Sequence, residues 1–420
     1  MASNNNDDEV FDYTGEGGDS APIDVVRVRV DPSVTSIPAR AFYDRKKLTE
    51  VELCEGLVEI GDRAFRHCYH SITKINIPNS LRRINDCAFN VSLRCHIRLH
   101  DGIESIGDAA FAACIFTNFR VPPLITVIPD MLSGCRSMFS AEIPYNAMEI
   151  GDYAFQSCYC LRNVAFPPDI VFGDDIFVEV VEFEEEDDND YDDNMELRTD
   201  LQRLFGGSEE RILQELRHRF DELPVHSIVY YQSYNQGVLQ NLLAAINMRS
   251  GQSRTLRSKL DPTGNQQDCL GMTPLHILAC SSVHNLEVYR LIVGKYPANL
   301  ITEDRWGALP LLYAIWGDAP SEIIEFLLES YHTLYPDHLF NWTMMVETIG
   351  RTDTLKDRIE NLLHVRQMHF PEQSIDWEHL LDKFVNLADR THICFPSLFK
   401  DRMQFLVICG MSECVEGLAF

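Results

Sequence analysis

The chain has 420 residues, 45% of them hydrophobic and 24% charged, which is an ordinary globular composition with length for two or three domains. Its formal net charge is −28, yet residues 1–24 and 178–196 together hold 18 acids and no Lys or Arg, so the remainder is close to balanced. With no basic face to meet phosphates, nucleic acid is excluded as an expected partner.

In chain order, residues 1–24 are polar, acidic and Gly-rich, and read as a disordered N-terminus. They lack the basic start and apolar core of a secretory signal. No stretch approaches the roughly 18 apolar residues that a membrane helix needs. The expected location is therefore intracellular, in the cytoplasm, with no membrane partner. The 13 cysteines include no CxxC pair. They are expected to stay reduced and to pack as small hydrophobes, with no metal and no cofactor.

Residues 25–177 carry an internal repeat. Ile37, Ile60, Ile84, Ile106, Ile128 and Ile150 recur at spacings of 23, 24, 22, 22 and 22, and Phe172 follows 22 residues later. Five residues after most of these anchors stands a Phe, usually preceded by Ala, as in Ala64-Phe65 and Ala110-Phe111. Each unit also has apolar residues two apart, from Val28-x-Val30 through Ile97-x-Leu99 and Phe119-x-Val121 to Val164-x-Phe166. That period puts both side chains on one face of a short strand. Pro78, Pro122, Pro144 and Pro167 then end the strands. In the following Ile-Gly-Asp, as at Ile60-Gly61-Asp62, the Asp is expected to cap a short helical turn bearing Ala-Phe. Pro38 and Pro129 stand at the Gly position, which therefore does not require positive φ. A unit this short cannot bury its own Phe and Ile, so the units must stack.

The pattern of strand, Pro, then I-G-D-x-A-F-x-x-C resembles the BspA-like leucine-rich repeat. The resemblance implies a parallel solenoid with a strand-lined concave face. Cys68, Cys114, Cys135 and Cys158 occupy the repeat's Cys position, where they are read as core. Arg45 and Ser92 depart from it, so looser turns are expected there. The outward strand positions are Arg29, Glu52, Asn76, Arg98, Arg120 and Glu142. They read either as a solvated face or as a row of contacts for a partner protein. In the second case Arg98 and Arg120 are adjacent rungs able to grip a carboxylate.

Residues 178–196 form an acidic break, densest at Glu184-Glu185-Glu186-Asp187-Asp188. Like charges at this density repel, so a disordered spacer is expected, with a basic docking partner as the alternative.

From residue 197 the apolar period lengthens from 2 to about 3.6, the helical value. Ser208, Asn285 and Ser321 precede amphipathic runs, and further helices are expected from Asp353 and Ser374. Asp268-Cys269-Leu270-Gly271-Met272-Thr273-Pro274-Leu275-His276 resembles the ankyrin repeat, and 36 residues on Asp304-Arg305-Trp306-Gly307-Ala308-Leu309-Pro310-Leu311 repeats it. Leu223-Pro224-Val225-His226 is a weaker upstream copy. The resemblance implies helical repeats over residues 197–350, with 351–420 as a helical cap. His276 reads as structural, paired with Thr273 across the helix start. Arg305 and Trp306 stand at the tip of the turn, where Trp306 is a candidate binding anchor.

No phosphate loop, dinucleotide fingerprint, zinc-protease or nucleophile-elbow motif occurs. The expected fold is thus an α+β repeat protein, a parallel β-solenoid of leucine-rich repeats followed by an all-α ankyrin-like array. The expected function is a non-enzymatic scaffold that binds other proteins through Arg98, Arg120, Glu142, Arg305 and Trp306. The alternatives are an enzyme with a cryptic site in the C-terminal helices and a surface adhesive protein.

Overall fold

Short alternating segments such as Arg27-Val28-Arg29-Val30 bury every second residue, so each makes one strand and needs a neighbouring turn to pair with. A computed structural model describes residues 10–15, 21–69, 71–95, 97–177, 198–206, 208–232, 237–246, 261–350 and 356–383. Its strands are β1 Val10–Tyr13, β2 Arg27–Val30, β3 Ser36–Ile37, β4 Glu50–Glu52, β5 Glu59–Ile60, β6 Lys74–Ile75 and β7 Arg83–Ile84. They continue as β8 Ser105–Ile106, β9 Asn118–Arg120, β10 Val127–Ile128, β11 Ser140–Glu142, β12 Glu149–Ile150 and β13 Val171–Phe172. Every strand pairing among the described residues is parallel. One face of the solenoid carries the sheets β1-β2-β4-β6 and β9-β11, and the other carries β3-β5-β7-β8 and β10-β12-β13. The result is a parallel β-solenoid of about seven turns.

The Ala-Phe segments are not helical turns, contrary to expectation. Arg63 and His67, Cys87 and Val91, and Ala109 and Ala113 all have positive φ, between 53° and 63° in all but Ala109 at 52°. With left-handed residues four apart, every second N–H of the segment points along the stack. Arg63, Phe65 and His67 thus donate to the carbonyls of Asp86, Ala88 and Asn90 of the next turn at 2.8–3.0 Å. This makes a third inter-turn ladder. The Asp residues do accept backbone N–H bonds, but across turns: Asp130 Oδ1 accepts from Ala109 N at 2.8 Å and Asp152 Oδ1 from Asp174 N at 2.8 Å. Gly61 is required by crowding, since a Cβ there would lie 2.8 Å from the Ile37 carbonyl oxygen.

Phe42, Phe65, Phe89 and Phe111 stack through the core with successive centroids 4.9, 5.1 and 5.6 Å apart. Beside them the S–H groups of Cys114, Cys135 and Cys158 donate to the carbonyls of Phe89, Phe111 and Leu132 at 3.1–3.3 Å. Ser92 does not loosen its turn. Its buried hydroxyl donates to the Phe65 carbonyl and accepts from Cys68 N, replacing the thiol with a stronger donor. Arg45, the other departure, spans its turn by donating to the carbonyls of Ala21 and Tyr43 at 2.9 and 2.8 Å.

Three expectations for the solenoid are corrected. Residues 10–13, read as part of a disordered start, form β1, because Tyr13 packs edge-on against Phe42 at 5.0 Å and closes the stack. Ile97-x-Leu99 is not a strand: the ladder runs earlier in that turn, through a bridge between Ile72 and Leu93. Val164-x-Phe166 is not a strand either, since helical residues take its backbone groups, as described below.

The helices are α1 Asp200–Phe205, α2 Glu209–Arg217, α3 Pro224–Gln232, α4 Val238–Ile246, α5 Pro274–Ala279, α6 Leu286–Lys295, α7 Pro310–Trp316, α8 Ser321–Leu334, α9 Trp342–Gly350, α10 Lys356–His369 and α11 Trp377–Lys383. Pro224, Pro274 and Pro310 each open a helix, as the sequence requires. Two compact units result, Met1–Asn285 and Leu286–Phe420, so the division falls inside the expected helical array and not at 178–196. The acidic break itself lies outside the described residues. In the second unit α7 packs on α8 and α10, and α9 on α10 and α11. There the Gln373 carboxamide oxygen accepts from Phe340 N at 3.0 Å and from Trp342 Nε1 at 2.8 Å, which ties the α9 entry to the loop before α11.

Candidate protein-binding surface

The outward residues of the first strand face line up through backbone register: Asp12 opposite Arg29, and Arg29 opposite Glu52. Arg29 bridges both neighbours, at 3.4 Å to Asp12 and 3.0 Å to Glu52. One residue-pair away on the same strands, Glu50 sits between Arg27 and Lys74. Asp12, Arg29, Glu52, Asn76 and Arg98 are exposed. Asn76 is held by a two-way bond to the backbone of Leu53, at 2.9 Å from its N–H and 2.8 Å to its carbonyl. Sequence reasoning missed Asp12 because acidic composition hid the strand; Phe11-Asp12-Tyr13 shows the same apolar-polar-apolar order as Val28-Arg29-Val30.

Along the solenoid this face closes. Arg120 is half-buried and already meets a carboxylate of its own chain, Asp101, at 2.7 Å. The expected grip of Arg98 and Arg120 on a partner's carboxylate is thus half occupied. Glu142 is only 5% exposed, against the expectation that it faces outward. Its carboxylate accepts from Ser282 N at 2.5 Å, in the segment after α5, and burial pushes its pKa up. Asn118, on the next strand back, donates to the Ser281 carbonyl at 3.3 Å.

Helices α1–α3 complete the closure. Arg219 is wholly buried and donates to Asp268 at 2.8 Å, to the Asn163 side chain at 2.8 Å and to the Val164 carbonyl at 2.9 Å. The Tyr230 hydroxyl donates to the Ala141 carbonyl at 2.7 Å and accepts from Ile143 N at 3.2 Å and Ala165 N at 3.0 Å. Arg162 pairs with Asp200 at 2.6 Å, again buried. Arg217 reaches the Ile170 carbonyl at 2.7 Å, and Glu209 accepts from Phe177 N at 2.8 Å. Tyr230, Arg219, Arg217 and Glu209 thus satisfy backbone groups that the last turns would otherwise leave open. The helical segment is therefore the C-terminal cap of the solenoid and the cover of its last turns.

Arg305 is exposed and Trp306 half-buried, at the tip of the loop before α7. The Asp304 carboxylate accepts from Trp306 N and Ala308 N at 2.9 and 2.8 Å, and Gly307 has φ 74°, so this tip is preformed. The loop before α5 has the same construction: Asp268 accepts from Leu270 N and Met272 N at 2.9 and 2.8 Å, with Gly271 at φ 75°. Thr273 and His276 meet at 2.8 Å and close a capping box, the structural role expected of that histidine. Arg305 and Trp306 belong to the second compact unit, while Arg98, Arg120 and Glu142 belong to the first.

Among the described residues no three His, Cys, Asp or Glu side chains are grouped to hold a metal ion, and no helix is long and apolar enough to cross a membrane.

Comparison with known proteins bears on the repeats. The family of BspA type leucine rich repeat regions matches in six copies, over residues 24–132 and 59–183. Residues 24–183 are thus a BspA-type leucine-rich repeat region, and the match does not extend into α1–α11. No curated protein matches the chain. Among solved structures, a leucine-rich repeat protein from Bacteroides ovatus is 26% identical, with 39% of this chain and 48% of that one covered and a TM-score of 0.29. The chain thus spans about half the length of that protein. A leucine-rich repeat protein of T. pallidum is 23% identical over 35% of this chain and 72% of that one, with a TM-score of 0.28. A leucine rich cell surface protein from Faecalibacterium prausnitzii is 21% identical over 36% of this chain and 58% of that one, with a TM-score of 0.25.

Proposed function

We propose that the chain is a non-enzymatic binding protein that holds a partner protein on the open part of its first strand face. The observation that carries this reading is the asymmetry of that face. Its outward residues are exposed from Asp12 to Arg98, then half-buried at Arg120 and covered at Glu142. Backbone ladders and the Phe stack keep the open rungs rigid, so a partner loses little by meeting them. The alternating Asp12, Arg29, Glu52 and Arg98 favour a partner whose charges alternate in the opposite sense. Because the ion pairs among them are exposed, they cost little to exchange for intermolecular ones.

The helical part supports a second contact region. We read the two Asp-x-x-Gly loops before α5 and α7 as ankyrin-like, on their shared hydrogen-bond pattern, with Arg305 and Trp306 presented at one tip. We also read the protein as intracellular and its environment as reducing, since the buried thiols of Cys114, Cys135 and Cys158 serve as hydrogen-bond donors.

Capture of partners from the protein's own cells tests this, comparing the wild-type chain with Glu52→Arg/Arg98→Glu at physiological salt. A stoichiometric protein held by the wild type and lost from the variant supports the open face. Identical partners on both chains, or none on either, would overturn it. Trp306→Ala run in parallel reports on the second region.

A further inference from the structure

The second strand face changes character along the solenoid. Its outward residues in turns one to four are Ser36, Glu59, Arg83 and Ser105, with Arg83 paired to Glu59 at 2.8 Å. In the next three turns the same rungs are Val127, Glu149 and Val171, in register on β10, β12 and β13. Val127 is 48% and Val171 62% exposed, and Met148, beside Glu149, is 60% exposed. A β-branched rung open to water on both sides of a carboxylate does nothing for the core, because Ile128, Ile150 and their neighbours already fill it.

Apart from Arg217, which donates to the Ile170 carbonyl and lies over the Phe172 ring at 4.7 Å, the charge beside this stripe is acidic. Asp152 and Asp174 stand exposed three residues beyond Glu149 and Val171. From Val121 to Phe177 the basic residues are Arg136 and Arg162 alone. Arg162 is buried against Asp200, and Arg136 lies over the Tyr159 ring at 5.6 Å. The stripe therefore sets two exposed valines and Met148 around a central carboxylate, Glu149, with Asp152 and Asp174 along its border.

We propose that this stripe docks an amphipathic helix of a partner protein, with Lys or Arg flanking its apolar face. Val127 and Val171 are two strand spacings apart, roughly 9.5 Å. Helix residues seven apart are separated by about 10.5 Å. A helix laid along the stack thus sets apolar residues i and i+7 on Val127 and Val171, with i+3 or i+4 against Met148. Its basic residues meet Glu149, Asp152 and Asp174. This surface is distinct from the open first face, and the two are independent.

The test uses the full chain and two labelled synthetic helices, one of Leu and Lys and one of Leu and Glu, with binding read by fluorescence anisotropy. Val127→Ser/Val171→Ser restores the Ser found on the corresponding rungs of turns one and four. The expected result is binding of the Leu-Lys helix that weakens about tenfold or more in this variant. Glu149→Lys, a single exposed change, should weaken it as well, whereas Glu52→Arg/Arg98→Glu should not. The acidic residues 178–196 are intact in every variant, so equal affinity for wild type and Val127→Ser/Val171→Ser would assign the binding to them and overturn the proposal. Preference for the Leu-Glu helix would overturn it too. So would a dimer of the wild type, seen by sedimentation, that the serine variant dissociates, since the stripe would then serve a second copy of the chain.

Discussion

The Arg219 guanidinium and the Asp268 carboxylate meet at 2.8 Å with both side chains wholly buried. This pair joins three pieces of chain: the end of α2, the loop before α5, and the last solenoid turn through Asn163 and Val164. A buried ion pair is costly to desolvate, and what makes it tolerable here is that Nη1 of Arg219 also donates to the Asn163 side chain and the Val164 carbonyl, with Nη2 3.3 Å from the Met272 sulfur.

Removing one partner should therefore be far worse than removing both. Asp268→Ala is expected to destabilise the first unit by about 3–5 kcal/mol, because it strands a buried cation. Arg219→Met/Asp268→Ala should lose less than the sum of the two single changes. Urea unfolding of the four chains of the cycle measures the coupling, and simple additivity would refute the link.

The Phe stack should behave as one continuous core. Phe89 is packed between Phe65 and Phe111, and Phe89→Ala is expected to cost about 3–5 kcal/mol. An unchanged thermal midpoint would mean that the repeat register is wrong.

His226 is buried beside Gln266, with its Nε2 3.1 Å from that carbonyl and with Asp268 and Arg219 nearby. Burial lowers its pKa to about 4 from the usual 6.5. The unfolded chain thus binds the proton more tightly, so the contribution to stability is complete above pH 6.5 and is lost as pH falls toward 4. Wild type should lose more stability across that window than His226→Gln, by on the order of 3 kcal/mol at its acid end. Denaturant midpoints at several pH values decide it, and parallel curves would count against a buried neutral histidine.

The cysteines should divide by depth. Burial pushes the thiol of Cys68 up to about 11 and those of Cys114 and Cys158 up to about 12. In native protein they should resist iodoacetamide while the half-exposed Cys87 and Cys269 react. Peptide mass spectrometry reads the pattern, and equal labelling of Cys114 and Cys87 would show that the solenoid opens.

On the open face, Arg29→Ala should leave the thermal midpoint within experimental scatter, since its partners Asp12 and Glu52 are exposed and readily solvated. A large drop would make Arg29 a structural residue and weaken its place in the binding surface.

Periodicity made the solenoid legible. A spacing of 22–24 with Ile and Phe in constant register can be buried only by stacking, so Ile60, Phe65 and their equivalents had to be core. Helix starts were legible for the same local reason, with proline at the first position of α3, α5 and α7. The candidate surface was legible only by half. Arg29 and Glu52 point outward because strand alternation forces it, and Arg98 is exposed between buried Ile97 and Leu99 outside any strand, but alternation cannot tell water from a covering helix. Glu142 has the same strand phase as Glu52 and is buried all the same, by Ser282, which lies 140 residues on.

By itself, then, the sequence determined which side chains face into the solenoid and which face out, because that choice follows from strand period and turn length, both local. Only the tertiary structure decided how much of the outward face is free. That depended on α1–α3 and the segment after α5 returning to the last turns, where Arg219, Tyr230 and Asp200 meet backbone and charge that no spacing rule connects to them. Such long-range contacts are selected by the burial of paired polar groups, and that energy is visible only once both partners are in place.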